Sequence, residues 1–217
     1  MIGEDAAPEA PETDLRPLRT DLAPVVEAVR EADASAFVAV GDRFDDDLRY
    51  LTRFSGPDRP YALVVVPNDE GGGDGSAADA PAGRAVLCAP ALFREQAERE
   101  FVAAARDPKP ESADDAGSAF HDGVAREVRT ADVGGHAGER AAAAVEDLTD
   151  GSDTGAATDG SDEGDGPTVL APASVPHDAA VYLERAGVDL ASTDAVAAAR
   201  ERKTPAEVDR LRRVQRA

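Results

Sequence analysis

The chain has 217 residues, with 23 basic against 44 acidic side chains, a formal net charge of −21 and 42% apolar residues. This length suits one sizeable α/β core, or one domain with long loops and the beginning of a second. The charge argues against nucleic acid as a partner, because a polyanion would be repelled and no basic stripe is present to release counterions. No apolar run reaches the length of a membrane span, and Met1-Ile-Gly-Glu-Asp-Ala-Ala-Pro8 has neither the basic nor the apolar region of a leader, so a cytoplasmic protein is expected. The only lysines are Lys109 and Lys203. Abundant acid, scarce lysine and much alanine suggest a halophilic chain, in which molar salt screens the self-repulsion.

Residues 1–14, rich in Pro, Ala, Glu and Asp, read as an acidic flexible arm. Leu18, Leu22, Val25, Val26 and Val29 then recur on one helical face, with Thr20 or Asp21 as cap and Pro24 tolerable only in the first turn. Ala36–Val40 and Tyr61–Val66 are short apolar runs bounded by Gly41, Pro60 and Pro67, and read as buried strands. After a Gly/Ala/Asp loop at 71–83 come a strand Ala85–Cys88 and a helix whose face carries Phe93, Ala97, Phe101 and Ala104. A polar connection at 107–123 leads to a strand Val124–Val128 and an Ala-rich helix Glu139–Leu148. The segment 150–166 holds six acids, five glycines and no base, the composition of a solvated linker. Order returns with a strand Thr168–Ala171, a helix after Pro176 with Ala179, Tyr182, Leu183 and Ala186 on one face, and the apolar positions of Val188-Asp-Leu190. Such alternation implies an α/β fold, a sheet with flanking helices. Finally, Thr204-Pro-Ala-Glu207 is a capping box that opens a helix with the stripe Val208, Leu211 and Val214.

No self-contained catalytic centre is evident. Gly71-Gly-Gly-Asp-Gly75 follows a strand, but Asp69, Glu70 and Asp74 would repel a phosphate and no Lys-Ser/Thr follows. The acidic segment lacks the ligand spacing of an EF-hand. His121, His136 and His177 match no zinc motif, and no Gly-x-Ser-x-Gly elbow occurs. The single cysteine, Cys88, sits in an apolar strand and reads as structural. No catalytic residue, metal ligand or cofactor is therefore assigned within the chain.

Two passages together resemble a known family. Asp47-Leu-Arg-Tyr-Leu-Thr-Arg-Phe-Ser-Gly56 is similar to the Tyr-Leu-Thr-Gly-Phe stretch in the amino-terminal domain of the Xaa-Pro aminopeptidase, prolidase and creatinase family. Arg200-Glu-Arg-Lys-Thr-Pro-Ala-Glu-Val-Asp-Arg-Leu-Arg-Arg-Val-Gln-Arg-Ala217 resembles the Arg-x-x-Lys-Ser/Thr-x-x-Glu-Ile run that joins that domain to the catalytic one. The resemblance implies a mixed β-sheet of creatinase/prolidase amino-terminal type over residues 15–199, with 200–217 forming the junction and first helix of a pita-bread catalytic domain absent from this chain. In the family that domain holds two divalent metal ions (Mn or Co) and hydrolyses proline-containing peptides, so the chain alone is expected to be inactive. Its expected role is to shape substrate access and to pair with the catalytic domain or a second subunit. The alternative is a standalone binding or regulatory module, since one fold carries many functions; an enzyme with an unrecognised site is a third class. The resemblance also assigns Asp47 by position to an aspartate that, in some aminopeptidases, reaches a neighbouring subunit's site and binds the substrate's free amine. By its sequence context alone, Asp45-Asp-Asp47 reads first as a solvated acidic run. Arg53 departs from the family pattern, standing where glycine is usual.

Overall fold

Strands that are apolar at every position must be covered on both faces, and that requirement organises this molecule. The computed structural model describes residues 18–68, 81–105, 122–131, 135–149 and 166–216. The arm at 1–14, the glycine loop at 71–75, His121 and nearly all of the acidic segment 150–166 lie outside the described residues.

In chain order the elements are α1 (Ala23–Glu31), β1 (Ala36–Gly41), α2 (Asp46–Thr52), β2 (Tyr61–Pro67) and β3 (Gly83–Pro90). A short α3 (Arg94–Ala97) follows, entered by a 3-10 turn at Ala91–Phe93 and continued by a π turn at Glu98–Val102 and a 3-10 turn at Ala103–Ala105. Then come β4 (Val124–Ala131), α4 (Ala137–Thr149), β5 (Thr168–Pro172), α5 (His177–Arg185), β6 (Asp189–Thr193), α6 (Ala195–Glu201) and α7 (Pro205–Val214).

The six strands form one mixed sheet in the order β4-β3-β2-β1-β5-β6. The pairs β1/β2 and β2/β3 are antiparallel, while β3/β4, β1/β5 and β5/β6 are parallel. The expected α/β class with a mixed sheet and flanking helices is therefore present. Because side chains alternate across a strand, β1 divides its residues between two cores. Phe37 and Ala39 join Leu63, Val65 and Leu87 beneath α1, α2, α6 and the turn carrying Phe101. Ala36, Val38 and Val40 join Val64, Val86 and Cys88 beneath α4 and α5. Burial pushes the Cys88 thiol up to about 11, as suits a structural residue. One edge strand, β4, carries Arg126, Glu127 and Arg129, and charge on an edge discourages further strand addition.

Several local expectations are corrected. The first helix starts at Ala23, so Leu18 precedes it and Leu22, not Thr20 or Asp21, occupies the cap position. Pro24 in the first turn sets that start, because a proline deeper in a helix would clash with the carbonyl four residues back. Asp21 still accepts from the Ala23 N–H at 3.0 Å. The helix expected through Phe93 and Ala104 is a broken series of turns, although Ala97 and Phe101 are buried as its periodicity required. Helices α2 and α6 were not anticipated, both being only seven residues long.

Candidate functional site

The passage 47–56 acquires its shape from α2. Asp45 caps that helix by accepting from the Leu48 N–H at 2.7 Å, which leaves Asp46 and Asp47 in the first turn where the helix dipole favours negative charge. Leu48, Leu51 and Thr52 turn inward. The buried Thr52 hydroxyl donates to the Leu48 carbonyl at 2.7 Å and accepts from the Phe54 N–H at 3.2 Å, reversing the chain at the helix end. Arg53 takes the left-handed conformation, φ 53°, and its N–H donates to the Arg49 carbonyl. The backbone therefore keeps the geometry that glycine favours even though arginine occupies the position.

What holds Arg53 there is its side chain. Its Nε donates to Thr20 Oγ1 at 2.7 Å, its guanidinium pairs with Glu207, and the same group lies 4.6 Å from the centre of the Tyr50 ring. Glu207 belongs to α7. There Thr204 and Glu207 complete the capping box, with the Thr204 N–H donating to Glu207 Oε2 at 2.9 Å. The Tyr50 hydroxyl donates to the Ala199 carbonyl at 2.9 Å, and Arg200 lies 5.1 Å from the ring centre. Burial, followed by the charge of Glu207, raises the pKa of Tyr50, so its hydroxyl stays protonated as a donor.

Asp47 faces the same junction. Its Oδ1 receives Arg200 Nη2 at 2.9 Å, and Arg200 also donates to the Asp46 carbonyl at 2.8 Å. In this structure Asp47 is thus an ion-pair partner of α6, with about a third of its side chain exposed.

Beside these residues lies an open cleft of about 930 Å³ whose lining includes Arg49, Arg53, Arg99, Arg200 and Arg210 against the acids Asp46 and Glu100. Sequence reading missed this feature, since the five arginines come from four separate segments and no basic run announces them.

The histidines occupy other surroundings. His136 meets Asp178 Oδ2 at 3.1 Å and stacks on Tyr182 with ring centres 4.5 Å apart, joining the start of α4 to α5. His177 opens α5. Among the described residues no group of three or more His, Cys, Asp and Glu is placed to hold a metal ion, and no helix is long and apolar enough to cross a membrane.

Arg53 permits a sharp test, because two effects oppose each other there. Glycine would relieve about 1 kcal/mol of left-handed strain. It would also remove a charge-assisted bond to the largely buried Glu207 and the bond to Thr20, worth about 1.5–3 kcal/mol. In urea denaturation, Arg53→Gly is expected to be less stable than the parent by about 1 kcal/mol, and Arg53→Ala less stable still, since it keeps the strain. A glycine variant more stable than the parent would mean that backbone strain dominates.

No protein-family model, curated protein or solved structure matches the chain.

Proposed function

We propose that this chain is a non-catalytic amino-terminal domain of the Xaa-Pro peptidase and creatinase type, which shapes substrate access and pairs, through α7, with a catalytic domain or a second subunit. One observation carries the reading: the two passages on which the resemblance rests, about 150 positions apart in sequence, meet in space. Arg53 binds Glu207, Asp47 binds Arg200, and Tyr50 binds the Ala199 carbonyl. A junction segment in a two-domain enzyme needs this arrangement, because the orientation of the second domain is only as definite as the base of its first helix.

The outer part of α7 supports the pairing role. None of its residues is buried, and Leu211 and Val214 are 52% and 76% exposed. A ten-residue helix is too short to be stable alone, so its apolar stripe has a partner to gain. Under this reading the two metal ions, Mn or Co, and the proline-containing peptide belong to the catalytic domain, with Asp47 reaching toward the substrate amine once Arg200 releases it.

Hydrogen exchange over residues 205–216 tests the proposal. In the dilute monomer, amides around Leu211 and Val214 are expected to exchange quickly, and to slow when a pita-bread catalytic polypeptide is supplied in trans or when the chain self-associates. The 217-residue chain by itself is expected to cleave no Xaa-Pro peptide with added manganese or cobalt. Strong protection of α7 in the dilute monomer, or metal-dependent cleavage by the chain alone, would overturn the reading.

A further inference from the structure

We propose that the arginine-lined cleft beside α2, α6 and α7 is a binding site for a small multivalent oxyanion, a polycarboxylate or a phosphorylated compound. The proposal does not depend on the pairing role of α7.

Charge distribution is the first argument. In a chain of net charge −21, arginines are most stable when dispersed among the excess acids, yet five of them converge on one cleft. Their neighbours do not neutralise them all. Asp47 offsets Arg200 and Glu207 offsets Arg53. Glu100 already accepts from the Ser55 N–H at 2.7 Å and from Gln96 Nε2 at 3.1 Å, and approaches Arg99 no closer than 4.0 Å. Asp46, in the first turn of α2, is stabilised by the helix end. Arg49 makes no ion pair or side-chain hydrogen bond among the described residues, and Arg99 is 71% exposed. In the lining, the Arg49 side chain is thus without a partner among the described residues and Arg99 is held only by a long, exposed contact to Glu100, so both can turn to an anion.

A second observation is independent of the charge count. Arg200 Nε, in the cleft lining, is buried and has no hydrogen-bond partner among the described residues. A buried donor left unpaired is destabilising, and an oxygen acceptor met as the half-exposed Arg200 side chain turns into the cleft would satisfy it. The guanidinium fork pairs bidentately with carboxylate and phosphate alike, which defines the ligand class. The cleft volume falls within the range of small-molecule sites, about 300–1,000 Å³. Tyr50, the aromatic residue of the lining, already packs against the guanidiniums of Arg53 and Arg200, so recognition rests on the anion and not on ring stacking.

Isothermal titration of the 217-residue chain with citrate and, separately, with pyrophosphate, at an ionic strength matched by chloride, tests the site. Saturable one-to-one binding is expected for at least one probe, and which one binds distinguishes a polycarboxylate from a phosphoryl ligand. Arg49→Ala/Arg99→Ala is expected to weaken that binding about tenfold or more, the loss of a charge-assisted bond. Both side chains are exposed, so the fold should be unaffected, as circular dichroism would verify. Arg185→Ala, on the exposed side of α5, should leave Kd unchanged. Absence of saturable binding by both probes, or a Kd that the double variant alters by less than about twofold, would overturn the proposal.

Discussion

Replacing Asp122 with alanine is expected to destabilise the protein by about 3–5 kcal/mol, the consequence of leaving one member of a buried ion pair alone. Asp122 and Arg126 are only 3% and 8% exposed. The carboxylate serves several donors at once: Oδ1 accepts from the Val124 N–H and from Arg126 Nη1, each at 3.1 Å, and Oδ2 accepts from the Leu22 N–H at 3.1 Å and from Arg126 Nη2. Arg126 also donates to the Thr20 carbonyl at 2.9 Å. This cluster fastens the start of β4 to the entry of α1, about 100 residues earlier. Without the carboxylate, a nearly buried guanidinium keeps only carbonyl partners, and the Leu22 and Val124 amides lose an acceptor. Against a total stability of about 5–15 kcal/mol for an ordinary domain, such a loss leaves little margin. Urea denaturation would measure it, with Asp209→Ala as the control, because the Asp209–Arg212 pair is exposed and should change stability by less than about 0.5 kcal/mol. A small effect at Asp122 would show that water enters the cluster and solvates Arg126.

The second large effect is expected at Phe54, where truncation to alanine should cost about 3–5 kcal/mol. Phe54 is fully buried and meets Tyr61 edge to face, with ring centres 5.2 Å apart at 77°. Tyr61 donates its hydroxyl to the Phe54 carbonyl at 3.3 Å, and burial pushes its pKa up to about 12, keeping that donor protonated. Gly56 closes the cluster: a Cβ there would lie 2.7 Å from Tyr61 and 2.8 Å from Phe54, too close for any larger residue without movement. The Tyr-Leu-Thr-Arg-Phe-Ser-Gly passage therefore encodes a packed reversal of the chain as well as whatever it presents to a ligand. Thermal unfolding of Phe54→Ala would show the loss directly. A minor shift in Tm would mean that Tyr61 and its neighbours collapse into the vacated space.

The same contrast between neighbouring and distant residues explains what could be read in the sequence. Apolar runs and turn residues located β1, β2, β3 and β5 to within a few positions, since burial on both faces leaves an unbroken apolar signature, and Val124–Val128 marked the start of β4; β6, half-buried or exposed along its length, was not identified as a strand. Thr204, Pro205 and Glu207 announced α7 and its capping box, because capping is completed within four residues. Short helices escaped: α2 and α6 have only seven residues each, too few turns for a period to emerge above the charged residues around them. Arg53 was recognisable as a departure from the family that the passage resembles, which usually has glycine there. Its compensation was not, because the ion pair with Glu207 spans 154 positions and exists only once the first turn of α7 is brought beside the end of α2. Asp47 was likewise named from its position, while its pairing with Arg200 depends on where α6 lands. The arginine cleft belongs wholly to the tertiary level. Its arginines are scattered along the chain, Arg99, Arg200 and Arg210 beside acids and Arg49 and Arg53 beside apolar or neutral residues, and only the folding of α2, the turns after α3, α6 and α7 brings them to a common wall. Hydrophobic patterning and capping act between near neighbours and are written locally, whereas charge convergence is a sum over distances that the chain acquires only when folded.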